Sequence, residues 1–263
     1  MACAAAAGVT VLAVTDHDTV AGCEPATNAC AETGIEFVPG IEITAIPDGG
    51  PGGHVGDVDD IHVLGYFVDI SFPGLQAFLA EQRRQRIERV RRVLERLAAL
   101  GVDLDADEIL RPAVENPRKS AGRPWIARAL VAAGHASNTD EAFERWLGWG
   151  RPAFVHRPGV SPAEAISRIH DARGIASLAH PALIGHDEWI GGFVSDGLDA
   201  LEAYHSAHDE VATARYLAMA SALGVGVSGG SDYHGDRSHG PANPGAVSLP
   251  RAEYERLVRR RSG

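Results

Sequence analysis

Residues 8–14, Gly-Val-Thr-Val-Leu-Ala-Val, form a short apolar, β-branched run that stops abruptly in Thr15, Asp16, His17 and Asp18. Such a run reads as a buried parallel strand, and no other stretch constrains the fold as strongly. In α/β proteins, chemistry collects at the carboxyl ends of parallel strands, where side chains share one mouth. A His between two Asp at such an end is either a metal ligand or a cap on the next helix. The stretch alone leaves both open.

The rest of the chain repeats this pattern. Residues 2–7 read as the end of an alanine-rich helix closed by Gly8, and residues 23–33 as a helix closed by Gly34. Residues 35–43 read as a strand in which Glu42 is boxed in by Ile41 and Ile43, so its carboxylate needs a partner if that side is buried. Residues 47–56 read as a Gly-rich loop. Residues 61–67 give a further strand carrying His62 among apolar neighbours, for which a satisfied core histidine is the simpler isolated reading.

From Gly74 to Gly101 the apolar positions follow helical spacing. The other face of this helix carries seven arginines between Arg83 and Arg96, laced with Glu81, Glu88 and Glu95. It is either a landing strip for a phosphate-rich ligand or, more simply, a solvated face. Shorter helical segments follow near 104–110, 124–133 and 139–147. No strand interrupts residues 73 to 150, which marks a helical insert. Alternation then resumes: a helix at 161–173 with Ser161 as cap and Pro162 in first position, a strand and turn at 175–181, and a strand at 198–204. A helix at 209–223 stopped by Gly224 leads into a last short strand at 225–228, which ends in Gly229, Gly230, Ser231, Asp232, Tyr233 and His234. Repeated β-then-α units argue for an α/β fold with a parallel sheet or barrel. The expected division is 1–72 and 151–263 for the two parts of that fold, with 73–150 as the insert.

With 263 residues there is chain enough for one large α/β domain or a domain plus an insert. A net charge of -11 argues against long duplex nucleic acid held by bulk electrostatics, but is compatible with a small phosphorylated ligand held by local cations. Cys3, Cys23 and Cys30 form no paired framework and read as packing thiols in a reducing compartment. The opening residues lack the basic n-region of a signal peptide, and no apolar run reaches membrane-spanning length. A cytoplasmic protein with no membrane partner is expected; the oligomeric state is not legible.

His17, Glu42, His180 and the Asp232/His234 pair gather at strand ends, with His62 on its own strand. Core histidines satisfied one at a time have no reason to recur at the same end of successive strands. Imidazole and carboxylate donors together suit zinc, manganese or iron rather than calcium or magnesium alone. A carboxylate such as Glu42 can bridge two ions, so six ligands could serve a multinuclear site. The D-x-H spacing would put Asp232 and His234 on one side of an extended segment, with Tyr233 turned away.

The motifs Thr15-Asp16-His17-Asp18, Pro39-Gly40-Ile41-Glu42-Ile43, His62-Val63-Leu64-Gly65-Tyr66, Gly122-Arg123-Pro124, Ala179-His180-Pro181 and Gly230-Ser231-Asp232-Tyr233-His234 come in the order found in the polymerase and histidinol phosphatase (PHP) family. The chain resembles that family's branch of nucleotide phosphoesterases and 5′-3′ exoribonucleases. The resemblance implies a distorted (β/α)7, TIM-like barrel with up to three divalent ions (Mn, Zn or Fe) at the strand ends. It implies that Glu42 bridges two metals, that Asp232 completes the first, that His62 and His180 serve the second, and that His17 and His234 serve the third. It also implies Arg123 as the phosphate-binding arginine; independently, Arg123 precedes Pro124 at a helix start, where free N–H groups favour an anion. Trp125 stands where relatives usually carry His.

The implied activity is hydrolysis of phosphate esters of nucleotides or short oligoribonucleotides through a metal-bridging hydroxide, with Arg123 and Asp232 as catalytic residues. His205 and His208 are candidates for protonating the leaving oxygen, although each reads more simply as a surface residue after a strand. One departure stands out. The family opens with a strand bearing H-x-H, which is absent here, so the expectation is a truncated or misassigned start at Met1. Failing that, the chain exposes a strand edge and has an impaired first metal site. The alternatives are a metal-dependent amidohydrolase-like enzyme, or a PHP-like binding module that has lost its amino-terminal ligands.

Overall fold

The structure of the chain is a computed structural model that describes residues 1–47, 60–116, 119–156, 159–235 and 243–261. In chain order its elements are α1 (Ala2–Ala6), β1 (Val11–Val14), α2 (Cys23–Thr33), β2 (Glu36–Ala45), β3 (Ile61–Tyr66), α3 (Pro73–Ala99), α4 (Ala106–Glu115), α5 (Arg123–Ala132) and α6 (Thr139–Ala142). These are followed by α7 (Pro162–Asp171), β4 (Ile175–Leu178), α8 (Pro181–Ile184), α9 (Ile190–Ser195), β5 (Ala200–His205), α10 (Glu210–Leu223), β6 (Gly226–Gly230) and α11 (Arg251–Arg261). The chain forms two compact units. The first comprises Met1–Ala45, Asp60–Gln76 and Val160–Gly263; the second comprises Ile46–Asp59 and Ala77–Gly159. From residue 48 onward, the Gly-rich loop expected at 47–56 lies outside the described residues.

Local chemistry fixes the element ends. Gly34 and Gly224 close α2 and α10 with left-handed φ of 71° and 70°. The Ser161 hydroxyl accepts the N–H of Glu164, and Asp209 accepts that of Ala212, so each caps the helix that follows.

The first unit is a mixed α/β fold built on a six-stranded sheet of order β1-β2-β3-β4-β5-β6. The expectation of a parallel sheet or barrel does not hold at β3, which runs antiparallel to both β2 and β4. No helical crossover separates β2 from β3 among the described residues, and an antiparallel neighbour needs none. The reversal preserves the rim. His62, at the start of β3, pairs with Thr44 near the end of β2, so it arrives at the edge where parallel neighbours place their carboxyl ends.

β2 serves two partners in turn: residues 36–39 pair with β1, and Gly40 onward with β3. A Cβ on Gly40 would lie 2.7 Å from Thr15 Cγ2 and 3.1 Å from the Val14 carbonyl, so this crossing point needs glycine. Helix α7 buries Ile166 and Ile169 on the sheet. There Gly65 leaves room, because a Cβ would meet Ile169 Cγ1 and Ile41 Cγ2 at 3.0 Å each.

Among the described residues, β1 and β6 are the two edges of the sheet. All four residues of β1 are only partly buried, whereas all four of β4 are buried. A cavity of about 660 Å³ reaches from the β1 edge at Leu12 and Val14 to Gly230 at the end of β6 and Asp232 just past it. Helix α11 ends in Arg259, Arg260 and Arg261. The Arg260 guanidinium bonds the Gly224 carbonyl, and Arg261 lies over the Phe67 ring.

The second unit packs α3, α4 and α5 around Val90, Leu94, Leu97, Leu110, Ile126 and Leu130. The arginine face of α3 divides between structural and solvated roles. Arg83 bonds the Ala113 carbonyl, Arg89 that of Val155 and Arg96 that of Phe154. Arg84 and Arg92 pair with Glu81 and Glu88 on the helix surface. Among the described residues no helix is long and apolar enough to cross a membrane.

Candidate metal centre

His17, Glu42, His62, His180, Asp232 and His234 all belong to the first unit, and the structure brings them together. Glu42, in the middle of β2, is 4% exposed, and both its oxygens face imidazoles. Its Oε1 lies 2.7 Å from His62 Nδ1 and 3.5 Å from His180 Nε2, and its Oε2 lies 3.7 Å from His17 Nδ1. The rings of His17 and His234 are 6.0 Å apart, and His234 Nδ1 lies 3.6 Å from Asp232 Oδ1. A ring of histidines and two carboxylates therefore lines one mouth.

Each residue has a local reason to be there. β1 continues beyond Val14 through a bridge of His17 to Glu42, with Asp18 N–H donating to the Glu42 carbonyl at 2.8 Å and Glu42 N–H to that of Asp16 at 3.1 Å. The buried carboxylate of Asp18 accepts the Thr44 N–H at 2.9 Å and the Thr44 hydroxyl at 3.2 Å. His180 and Asp232 both sit just past a strand with left-handed backbone, φ 28° and 51°. Non-glycine residues avoid that region, and such strain persists where the surroundings over-determine it, as at functional sites. The turn at Asp232 also corrects the extended reading of D-x-H, since His234 folds back with Nδ1 at 2.9 Å from the Asp232 carbonyl oxygen.

Burial alone would raise the pKa of Glu42, but hydrogen bonds from His180 and His62 and the charge of His17 hold it well below the usual carboxylate range. His180 goes the other way: burial would lower it, yet Glu42, Glu202 and Asp232 together raise it. Asp232 is lowered, first by its contact with His205 and, against partial burial, by His234.

This donor set fits divalent cations. His62 Nδ1 and His180 Nε2 are 3.2 Å apart beside one carboxylate oxygen, a crowding of ligand atoms that a cation relieves. Among the described residues, the buried Nδ1 of His180 finds no hydrogen-bond partner. His17, Glu42 and His62 offer donor atoms that all lie within 4.8 Å of one another.

Arg123 belongs to the second unit and is itself the first residue of α5, one position earlier than expected, with Gly122 as cap. Its guanidinium lies over both Phe143 and Phe154 at 5.7 Å and bonds the Leu147 carbonyl at 3.4 Å. Trp125 packs against the core of that unit.

His205 and His208 are not the surface residues expected. His205 is 4% exposed. His208 Nδ1 lies 2.9 Å from the Ala203 carbonyl and its Nε2 accepts the Ala182 N–H at 3.4 Å, while burial lowers its pKa; with both nitrogens engaged it is a poor proton donor. The sequence reading missed Glu202 entirely. This buried β5 carboxylate accepts the His180 N–H at 2.8 Å, and burial pushes its pKa up to about 7 against the pull of His205 and His180. Its signal was available: an acid inside the apolar strand Leu201-Glu202-Ala203, the same pattern that exposed Glu42.

No protein-family model matches the chain. A 5′-3′ exoribonuclease from Haemophilus influenzae is 32% identical over 234 residues, 87% of this chain and 81% of the relative. A 3′,5′-nucleoside bisphosphate phosphatase from Chromobacterium violaceum is 30% identical over 236 residues, 88% of this chain and 79% of that one. Among solved structures, a Bifidobacterium adolescentis protein assigned as a metal-dependent phosphoesterase superposes with a TM-score of 0.79 at 31% identity, covering 98% of this chain and 88% of its own.

Proposed function

The chain belongs to the PHP-like phosphoesterase family, and from that membership we propose that it hydrolyses phosphate esters of nucleotides or short oligoribonucleotides with divalent metal ions. The observation that carries this reading is Glu42, whose two oxygens meet imidazoles delivered by three different segments of the sheet rim.

In this reading Glu42 would be shared between two ions, Asp232 would complete the first, His62 and His180 would hold the second, and His17 and His234 the third, with manganese, zinc or iron as occupants. Bound there, divalent cations would supply an acidified water for attack on phosphorus and positive charge against the phosphoryl oxygens. The chain's own part is placement. Glu42 and Asp232 keep their carboxylates ionised, and Glu202 anchors the backbone of His180. Arg123, on a helix start and braced by two rings, takes a phosphate oxygen. The six-stranded sheet is read as part of the family's distorted (β/α)7 barrel. The three free thiols fit a cytoplasmic setting.

The test is turnover of a panel of nucleoside bisphosphates, short oligoribonucleotides and amides, with manganese and with chelator. Phosphate release that needs the metal is expected. Turnover of amides alone would replace this reading with an amidohydrolase. Less than one ion per chain by elemental analysis, together with no turnover, would replace it with a binding module.

A further inference from the structure

His205 closes β5 and is buried beside Asp232, with Nε2 3.5 Å from Asp232 Oδ2. A regular strand would not bring it there. Glu202 and His205 are three residues apart and would face opposite sides of the sheet. The pairing of β5 with β6 shifts register between Glu202 and Tyr204, leaving one extra residue on β5, so both side chains turn toward the site.

The hydrogen bonding of the ring decides what His205 can do. Its Nδ1 accepts the Ala207 N–H at 3.0 Å, so that nitrogen carries a lone pair and a ring proton sits on Nε2. A nitrogen bearing a proton offers no lone pair to a metal. Nε2 is buried, with no hydrogen-bond partner among the described residues, and its neighbour is the carboxylate of a residue in left-handed backbone. A buried donor left unmet is costly, so it is expected to close on that carboxylate.

We propose that His205 is a positioning residue: its Nε2–H holds Oδ2 of Asp232 and fixes the direction in which the other oxygen, Oδ1, is presented to the site. The role rests on the reading of Asp232 as a site residue. His205 acts through that carboxylate and touches neither substrate nor ion. Partners of this kind orient metal-binding side chains and typically change affinity or activity by 10–100-fold when removed.

Two replacements separate the two nitrogens. His205→Gln keeps a donor near the Nε2 position, and His205→Asn keeps an acceptor near Nδ1 but has no atom that reaches the Nε2 position. With manganese alone as the probe, calorimetric titration is expected to show affinity about 10–100-fold weaker for His205→Asn, and affinity restored to within a few-fold of the parent for His205→Gln. In an Asp232→Asn background, His205→Asn is expected to cost nothing further. Equal losses in both variants at unchanged melting temperature, or no loss in either, would overturn the proposal. Multiple-bond proton–nitrogen NMR on the unsubstituted protein needs no variant to fold: a proton on Nε2 is expected, and a proton on Nδ1 would overturn the assignment by itself. If the parent neither binds manganese nor releases phosphate, the proposed function falls, while the tautomer still decides whether His205 donates to Asp232.

Discussion

Oε1 of Glu42 and Nδ1 of His62 meet at 2.7 Å from neighbouring strands that run in opposite directions. Had β3 been parallel, as the alternation of strands and helices suggested, residue 62 would have begun its strand at the far edge of the sheet. The contact exists because the reversed strand starts where its neighbours finish.

Glu42→Gln tests that contact. The amide keeps the shape of the side chain but removes the charge that three imidazoles face. Manganese affinity by calorimetry is expected to fall by more than the roughly 10–100-fold that losing an outer partner costs. Unchanged affinity would remove Glu42 from the site.

Asp232→Asn separates chemistry from folding. Asn is among the few residues that tolerate left-handed backbone, so φ 51° at this position is kept without new strain. Circular dichroism and melting temperature are expected to match the parent, while metal-dependent phosphate release falls at least about 10²-fold, the scale of losing one preorganised electrostatic contact.

Gly65→Ala tests the packing behind the site. The added Cβ would stand 3.0 Å from Ile169 Cγ1 and Ile41 Cγ2 and 3.1 Å from Val68 Cγ1, all in the buried layer between α7 and the sheet. Urea unfolding is expected to show a loss of about 1–3 kcal/mol with the slope unchanged. A neutral result would mean that α7 shifts freely on the sheet.

His170 gives a pH dependence remote from the metal centre. Its Nε2 lies 2.8 Å from Asp199 Oδ2, and that hydrogen bond raises the imidazole pKa against partial burial. The folded state therefore binds more protons than the unfolded state above about pH 6.5, and stability falls as pH rises through that interval. The pair's contribution is fully present below about pH 6.5 and is lost above the higher folded value. With side chains 39% and 30% exposed, it is worth only about 0.2–1 kcal/mol. His170→Ala is expected to be destabilised at pH 5.5 and nearly neutral at pH 8.5 by denaturant titration; a deficit that grows with pH would contradict the sign.

What could be read from the sequence was what local chemistry writes there. Ser161 and Asp209 as caps and Gly34 and Gly224 as stops each act within a few residues, so the helices they bound were legible. Glu42 stood out because an acid between two isoleucines must find a partner. The direction of β3 was not legible, since it depends on where the chain returns after residue 45. The shifted register in β5 and the left-handed turns at His180 and Asp232 are set by neighbouring strands, so His205 was read as a surface residue when it is buried beside Asp232. Glu202 could have been found by the argument applied to Glu42.

The most direct test is anomalous diffraction at the zinc edge from crystals grown with zinc. The account predicts a peak within about 2.0–2.2 Å of an oxygen of Glu42 and of ring nitrogens of His62 or His180. Full anomalous signal elsewhere on the molecule, with these side chains untouched, would contradict it.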